Sequence, residues 1–413
     1  MPTSRSRLLL LLPTTTYRTE AFVDAATKLG VELVCASERP STLQELAPDS
    51  LVTLDFGDPL ESAETIARFA RRRPIDAVVA VDDPTTVVAA AISQRLGLKA
   101  NSLPAASVAR DKHAMRRCLA SAGVPVPRFQ LVRLADDPAA LAQGVEYPCV
   151  LKPLALSASR GVIRANDAQE FVAAFRRIAA ILETADAALP GEARTALLVE
   201  EFIPGREVAL EGLLVGGTLH VLALFDKPDP LEGPFFEETI YVTPSRRPET
   251  EQARIAAVTR DACSALGLTE GPIHAELREN DRGPFVLEVA ARSIGGLCSR
   301  TLRFGTGLSL EELILSHALG RPLQSLERER RAAGVMMIPI PRAGRLIGVG
   351  GTADAAAVDG IEEVAITMHP GQEVVPLPEG WQYLGFIFAR AETPAAVEHA
   401  LRRAHARLHV DIE

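Results

Sequence analysis

Lysine is scarce in this 413-residue chain, where it accounts for only five of the 44 basic residues. Arginine therefore supplies most of the positive charge. A lysine that remains is a candidate for a position that needs a compact, strongly hydrated ammonium group. We attribute Lys28 and Lys99 to chance, whereas Lys112, Lys152 and Lys227 each stand beside other polar motifs.

Cysteine is also scarce, and its five positions are scattered without a CxxC spacing. This pattern argues against a zinc site or a disulfide framework and is typical of a reducing compartment, so we expect a cytoplasmic protein. The net charge of −9 argues against a general nucleic-acid surface. The composition thus favours an intracellular protein that acts on small molecules.

Long hydrophobic runs are missing as well. The leucines at 8–12 follow Arg5 and Arg7 but stop at Pro13, which makes the run too short for a secretory signal. We interpret it as the first buried strand of a parallel sheet. No run approaches the ~20 apolar residues of a transmembrane helix, so we expect no membrane partner.

Residues 7–100 alternate apolar strands with helical stretches, which predicts a parallel sheet with crossover helices. The first turn reads "PTTTYRTEAF" and lacks the GxGxxG spacing of dinucleotide-binding folds. Asp82 and Asp83 end a strand at the carboxyl edge of this sheet, where ligands of open α/β folds gather. Solvated acids at a strand end are the equally supported alternative.

The rest of the chain mixes helices with antiparallel strands. Gly216 and Gly217 separate two alternating runs and predict a hairpin turn. Residues 232–248 combine turn formers with mixed polarity, and we interpret them as a mobile loop. The other predicted elements are helices at 107–123, from near Asn166 to 189, at 249–266 and at 309–319, a strand at 147–154, and a last unit of short strands with a terminal helix.

Residues 271–292 contain two alternating runs around the turn-forming "ENDRG", which predicts a hairpin. If the turn is centred on Arg282, Glu276 lies opposite Glu288, with Cβ atoms ~4.5–5.5 Å apart. Facing carboxylates repel each other unless a cation lies between them. Hard oxygen ligands of this kind suit Mg²⁺. The alternative is that one acid faces solvent or pairs with an arginine.

Several motifs are suited to phosphate and nucleotide binding. Lys152 ends the strand "CVLK", and the following "LSASRGV" offers the hydroxyls of Ser157 and Ser159, backbone N–H groups and Gly161. Most serine–glycine loops are simple turns, so this signal alone is weak.

The stretch "VEEFIPGREV" (199–208) is more distinctive. Its backbone at Glu201–Ile203 could hydrogen-bond the edge of adenine, and Glu207 could accept from ribose hydroxyls. Lys227 ends a later strand and directs another cation to the same region.

Taken in order, these motifs resemble the ATP-grasp superfamily and, within it, the L-amino-acid ligases of the bacilysin-synthetase type. The specific part is the His-x-Glu strand (274–276) followed by "EVAARSIG" (288–295). The segments 333–346 and 380–401 also resemble that family's extra C-terminal domain. The resemblance implies an α/β protein with the ATP-grasp fold. Its expected parts are a Rossmann-like parallel-sheet domain at 1–108, two ATP-grasp lobes at 109–195 and 196–330, and a small α+β domain at 331–413.

The resemblance also implies a role for each candidate site residue, with ATP and Mg²⁺, or Mn²⁺ in its place, as cofactors. The lysines Lys112, Lys152 and Lys227 would contact phosphates, and Lys227 would approach the γ-phosphate. The remaining implied roles are phosphate-loop contacts by Ser157, Ser159 and Gly161, an adenine hinge of Glu200, Glu201, Phe202 and Ile203, ribose binding by Glu207, metal binding by Glu276 and Glu288, and substrate binding by His274, Arg292, Ser293, Gly295 and Gly296.

Two positions near the second acid modify this picture. Many ATP-grasp enzymes have an asparagine ligand where this chain has Ala290, so phosphate and water would complete the metal shell. Gly296 stands where the amino-acid-ligase pattern admits a bulky residue, and we expect a larger space beside Arg292. A glycine selected only for its backbone conformation is the alternative.

The function expected from the resemblance is ATP-dependent joining of a carboxylate to an amine through an acyl-phosphate intermediate. ADP and phosphate are the expected products, and amino acids are the expected substrates. The arginine fork of Arg292 suits a carboxylate and the charge that develops on it. Three alternatives stay open: another ATP-grasp ligase of the phosphoribosylamine–glycine or carboxylating type, a non-catalytic ATP-binding module, and a sheet-rich scaffold with coincidental motifs. The sequence leaves a homodimer open.

Overall fold

The computed structural model describes residues 5–184 and 191–413, and its first unit is the expected parallel sheet. The strands lie in the order β3-β2-β1-β4, and β1 pairs in parallel with both β2 and β4. Every residue of β1 is buried, as the central strand of a sheet covered on both faces requires. The elements are β1 (Arg7–Leu11), α1 (Thr19–Leu29), β2 (Glu32–Ser37), β3 (Leu51–Thr53), α2 (Pro59–Ala70), β4 (Ala77–Ala80) and α3 (Thr86–Leu96).

The single helix predicted at 107–123 is wrong, because the structure has two helices, α4 (Leu103–Arg110) and α5 (Lys112–Ser121). Asp111 between them is extended, with φ −103° and ψ 114°, and its carboxylate accepts from the backbone N–H of Ala114. Asp111 therefore caps the second helix and makes Lys112 its first residue. The predicted domain boundary at residue 108 falls inside α4.

A four-stranded antiparallel sheet in the order β5-β8-β6-β7 forms the first lobe. The long helix expected from near Asn166 begins at Ala168 and packs Phe171, Phe175 and Ile178 into the core of this lobe. Its predicted end at 185–189 lies outside the described residues. The elements are β5 (Phe129–Arg133), α6 (Pro138–Leu141), β6 (Cys149–Pro153), β7 (Ile163–Ala165), α7 (Ala168–Thr184) and β8 (Ala196–Glu201).

The second lobe and the C-terminal unit share one eight-stranded sheet in the order β13-β12-β9-β10-β11-β14-β18-β16. The second lobe contributes β9 (Arg206–Val215), β10 (Thr218–Asp226), β11 (Ile240–Thr243), α8 (Glu249–Leu266), β12 (Gly271–Asn280), β13 (Gly283–Ala290) and α9 (Leu310–Ala318). The C-terminal unit contributes β14 (Ala332–Ile338), β15 (Gly344–Gly350), α10 (Thr352–Ala356), β16 (Ile361–Ile366), β17 (Glu373–Val374), β18 (Gly385–Ala391), α11 (Pro394–His405) and β19 (His409–Ile412).

Residues 240–243 correct the mobile-loop prediction for 232–248, because they form the buried strand β11. Ile240, Tyr241 and Val242 are the β-branched and aromatic types that a pleated surface favours. β11 pairs with β10 on one side and with β14 on the other. The hydrogen-bonded sheet is therefore continuous across the predicted boundary at residue 331, while β17, β15 and β19 form a separate small sheet.

The β12–β13 hairpin places Glu276 opposite Glu288, as predicted. The turn itself is different, because Asn280 pairs with Gly283 and leaves a two-residue turn at Asp281 and Arg282. That turn alone would pair Glu276 with Leu287. An irregularity in the register after Glu276 shifts the pairing by one residue and brings the two acids into line.

Among the described residues, no helix combines the length and the apolar character needed to cross a bilayer. All five cysteines are described and free. The glycine pair at 216–217 forms the predicted hairpin turn, with both residues at positive φ.

The packing around β14, where the C-terminal unit pairs with β11 of the second lobe, leads to a stability prediction. A Cβ at Gly334 in β14 would lie 2.6 Å from Val397 Cγ1 and 2.8 Å from the carbonyl oxygen of Tyr241. We expect Gly334→Ala to lower the free energy of unfolding by about 1–3 kcal/mol through overpacking. Gly348→Ala is the matched control, since a Cβ there has no neighbour within 4 Å. Equal urea midpoints for the two variants would contradict this assignment.

Candidate active site

A cavity of about 470 Å³ lies where the parallel-sheet unit, both lobes and the C-terminal unit meet. It brings together most of the site residues that were predicted from sequence. Those in its wall are Lys112, Lys152, Ser157, Ser159, Glu200, Glu201, Phe202, Ile203, Glu207, His274, Glu276, Glu288, Arg292, Gly295 and Gly296. The other three, Gly161, Lys227 and Ser293, adjoin wall residues through the chain or through hydrogen bonds.

Glu200 is a fully buried carboxylate that holds two cations. It accepts from Arg116 in a short contact, and its other oxygen lies 2.6 Å from Lys152 Nζ. Burial disfavours its ionised form, but Arg116 and Lys152 outweigh this effect and lower the pKa of Glu200. Its carboxylate is therefore engaged in orienting Lys152, whereas the predicted role was in an adenine hinge.

Lys112 occupies the first turn of α5, where the Asp111 cap directs it toward the cavity. Its ammonium donates to the carbonyl of Leu156 at 3.0 Å and lies 3.1 Å from Glu288 Oε2. Lys112 thereby joins the start of the predicted phosphate loop to one of the two predicted metal ligands.

Lys227 lies behind the wall, enclosed by three carboxylates that line the cavity. Its Nζ is 2.8 Å from Glu207 Oε1 and 3.3 Å from Glu276 Oε1, and it makes a still shorter contact with Glu238. Only 3% of its side chain is exposed. The structure thus places this ammonium among acids, whereas the prediction directed it to the γ-phosphate.

The charges of this cluster depend on each other. Desolvation lowers the pKa of Lys227, but Glu207, Glu238 and Glu276 outweigh it and hold that pKa well above its ordinary value. Burial opposes ionisation of Glu276, yet Lys227 holds its pKa well below the usual value. Burial raises the pKa of Glu238 to about 7 despite Lys227. Removal of the ammonium would take away the cation that the three desolvated acids share.

The predicted phosphate loop at 156–162 has two non-glycine residues at positive φ, Ala158 and Ser159, both at 54°. Such conformations persist only where surrounding contacts hold them, and they concentrate at ligand sites. Ser157 supplies one contact, since its hydroxyl donates to Asp83 Oδ2 at 3.1 Å. Gly161 supplies another through its backbone N–H, which donates to the carbonyl of Pro378 at 2.9 Å.

The predicted adenine hinge lies in the cavity wall, but part of its backbone is already hydrogen-bonded. The N–H groups of Glu201 and Phe202 donate to Arg128 and Pro148 carbonyls, and the Ile203 carbonyl accepts from Arg278. The Phe202 ring is flanked by the guanidinium groups of Arg164 and Arg278, 4.0 and 4.9 Å from its centroid. The hinge is therefore held rigidly before any ligand arrives.

Arg292 is a further cation in the wall of the cavity. Its guanidinium donates to Asp83 Oδ2 at 2.8 Å and to the carbonyl of Ser293 at 2.9 Å. Burial would raise the pKa of Asp83, but Arg292 and Arg110 outweigh it and hold that pKa well below its ordinary value. Asp83, one of the two strand-end acids, thus links Arg292 to Ser157 of the phosphate loop.

Ser293 supports the wall from behind instead of lining it as predicted. It is 2% exposed, and its hydroxyl accepts from Arg18 at 2.7 Å. Arg18 also pairs with Glu311 of α9 at 2.9 Å. This buried network fixes the chain directly after Arg292 to the parallel-sheet unit.

His274 lines the cavity beside Glu276, which lies two residues further along the same strand. Its Nδ1 lies 3.1 Å from Glu211, which also accepts from the backbone N–H of Ile294. Burial disfavours its charged form, but hydrogen bonds with Glu211 and Glu276 raise the pKa of His274 to about 9. The two carboxylates therefore favour the protonated imidazole.

The larger space predicted beside Gly296 is not what the structure shows. Gly296 has φ +59°, and a Cβ on it would lie 3.0 Å from Cε1 of Phe386 in β18. Trp381 and Tyr383 from the same C-terminal unit, with Tyr17 from the first unit, complete an aromatic wall. Glycine at 296 is thus required by the backbone and by Phe386, as the alternative reading stated.

Sequence reasoning missed several residues of this site. Glu238 and Tyr241 belong to the segment interpreted as a loop, and Tyr241 donates to Glu238 at 2.7 Å. Trp381 is the only tryptophan of the chain, which was a signal that could have been used. Glu211 looks like an ordinary strand residue, and only its 0% exposure reveals its role.

The donor set fits a divalent cation. Carboxylate oxygens of Glu207, Glu238 and Glu276 lie within 4.8 Å of one another, and Glu288 faces Glu276 across the hairpin. Hard oxygen ligands at this density suit Mg²⁺. The ammonium groups of Lys227 and Lys112 contact the same acids, so the cluster is already organised around positive charge.

Three family models match separate parts of the chain. They describe an ATP-grasp N-terminal domain at residues 23–98, an ATP-grasp domain at 145–301 and an L-amino acid ligase C-terminal domain at 336–413. The chain therefore has ATP-grasp domains and is similar to the L-amino-acid ligases, as the sequence resemblance indicated.

Similar proteins agree with this placement. The alanine–anticapsin ligase of Bacillus subtilis is 27% identical over 284 residues, a match that covers 65% of this chain and 60% of that enzyme. Dapdiamide A synthase of Enterobacter agglomerans is 26% identical over 82% of this chain and 80% of its own. The crystal structure of an L-amino acid ligase from Bacillus licheniformis superposes with a TM-score of 0.82 at 26% identity, covering 100% of both chains.

The contact between Gly296 and Phe386 generates a prediction. We expect Gly296→Ala to lower kcat/KM for large and small substrates by similar factors, because the new Cβ strains the backbone and pushes against a fixed ring. Gly144→Ala is the control, since a Cβ there has no neighbour within 4 Å, no positive φ is involved and Gly144 is not part of the cavity wall. A selective loss for large substrates in Gly296→Ala would restore the open-pocket reading.

Proposed function

We propose that this protein is an ATP-dependent carboxylate–amine ligase that joins amino acids through an acyl phosphate. The observation that carries the proposal is the set of residues that lines one cavity. Its wall combines the predicted hinge, the lysines Lys112 and Lys152, the acids Glu276 and Glu288, and Arg292 with the aromatic side chains.

In the first step, a carboxylate oxygen of the acyl substrate attacks the γ-phosphorus of ATP. An O–P bond forms, the bond to the β-phosphate oxygen breaks, and ADP leaves with that electron pair. Lys112 and Lys152 are positioned for the negative charge of the phosphates. Glu276 and Glu288 would hold Mg²⁺, which when bound neutralises charge on the transferred group.

In the second step, the amine nitrogen attacks the acyl carbon and a C–N bond forms. Phosphate leaves with the electrons of the C–O bond, and the amine loses a proton. Arg292 can stabilise the oxyanion of the tetrahedral intermediate with donors fixed in advance. Its contact with Asp83 holds the guanidinium in place, so little reorganisation is needed.

Amino acids are the proposed carboxylate substrates, because the guanidinium fork of Arg292 in the cavity wall suits a carboxylate. The relatives named as an alanine–anticapsin ligase and an L-amino acid ligase support the same assignment.

The products provide a direct test. We expect ADP and phosphate, with no AMP or pyrophosphate, because the cations and acids in the cavity wall are suited to the charge of a transferred γ-phosphoryl group. ADP release should be measured over amino acids, singly and in pairs, with mass spectrometry for the amide product. AMP as the nucleotide product would reject the acyl-phosphate route, and the absence of any amide from all pairs would reject amino-acid ligation.

Glu288 provides a second test. We expect Glu288→Gln to lower kcat by at least about 100-fold, because it keeps the size of the side chain but removes a charge that the metal needs. The fold should persist, since relief of repulsion from Glu276 offsets the lost contact with Lys112. Asp281→Asn removes a charge from the exposed turn of the same hairpin and is the control. Unchanged turnover of Glu288→Gln at saturating Mg²⁺ would show that the acid pair is structural.

A further inference from the structure

The predicted phosphate loop is in direct contact with the C-terminal unit. The backbone N–H of Gly161 donates to the Pro378 carbonyl at 2.9 Å, and Arg160 Nε donates to the Glu379 carbonyl at 2.9 Å. We call residues 376–383, which make these contacts, the latch segment. Two main-chain carbonyls of the latch segment therefore hold two consecutive residues of the loop.

The side chain of Glu379 adds a third contact from the same segment. Its carboxylate receives both donors of Arg177 in α7, with Nε–Oε1 at 2.6 Å and Nη2–Oε2 at 2.9 Å. The guanidinium of Arg177 also lies 4.9 Å from the centroid of Phe235. This two-pronged pairing fixes orientation as well as distance, so the first lobe is held in one register against the C-terminal unit.

The latch segment continues directly into the cavity. The N–H of Gly380 donates to the Pro376 carbonyl at 2.8 Å, and a Cβ on Gly380 would lie 1.8 Å from the Val375 carbonyl oxygen. This tight turn leaves Trp381 and Tyr383 in the cavity wall. The first part of the latch segment thus contacts the phosphate loop, and its last part lines the cavity.

We propose that Glu379 is a positioning residue that, through Arg177, keeps the phosphate loop closed against the latch segment and so protects the acyl phosphate from water. This inference rests on the proposed function. Closure of the loop excludes solvent from the reacting groups, and an open loop lets water compete with the amine.

Hydrogen–deuterium exchange of the intact 413-residue chain tests the latch independently of catalysis. We expect Glu379→Gln to increase exchange in the peptide spanning 156–163 by about two- to fivefold, the range for a partly exposed ion pair. Glu64→Gln is the matched control, because Glu64 makes the same two contacts with Arg95 at similar exposure, within the parallel-sheet unit. Unchanged exchange in Glu379→Gln would overturn the proposal.

The consequence for the reaction is measured as the ratio of ADP released to amide formed. We expect that ratio to rise at least about twofold in both Glu379→Gln and Arg177→Gln, with no further rise in the double variant. The charge-swapped Arg177→Glu/Glu379→Arg protein should recover part of the coupling. A fall in kcat with an unchanged ratio and no recovery in the swapped protein would show a merely structural pair.

The exchange experiment and the coupling experiment together separate this inference from the function on which it rests. If no amino-acid pair yields an amide in the wild-type protein, the proposed function fails while the exchange experiment still decides whether the latch exists. If the wild-type protein forms an amide and neither exchange nor coupling changes in Glu379→Gln, the latch fails and the function stands.

Discussion

The buried ammonium of Lys227 is the contact on which the arrangement of the cavity depends. It allows Glu207, Glu238 and Glu276, which come from β9, from the segment before β11 and from β12, to converge in a desolvated wall. Without a central cation these acids would repel each other or take up protons. The same cation therefore organises the candidate ribose ligand Glu207 together with the candidate metal ligands Glu238 and Glu276.

The sequence was most informative where the chemistry is local. The alternation in 271–292 predicted a hairpin and placed Glu276 against Glu288, although the real turn is shorter and an irregularity restores the pairing. Strand β1 and the helices α8 and α9 were likewise predicted from the hydrophobic pattern of the sequence. The break at Asp111 was missed, because a capping residue inside a continuous helical pattern only becomes clear from its backbone angles.

The parts that could not be predicted involve partners far apart in the chain. Asp83 and Arg292 are 209 residues apart, and nothing in either local stretch indicates that they meet. Phe386 closes the space beside Gly296 from a strand of another unit, so the pocket inferred from a missing side chain was wrong. A burial pattern tells which residues face inward, but the identity of the neighbour that fills a gap is a property of the tertiary packing.

The continuous eight-stranded sheet has a consequence for synthesis of the chain. Strand β11 at 240–243 pairs on one side with β14 at 332–338, and β14 pairs on its other side with β18 at 385–391. Pairings of such long sequence separation form late, and an incomplete sheet exposes an unpaired edge in the meantime. On the ribosome, the edge of β11 that pairs with β14 therefore stays uncovered until residues 332–338 have been synthesised.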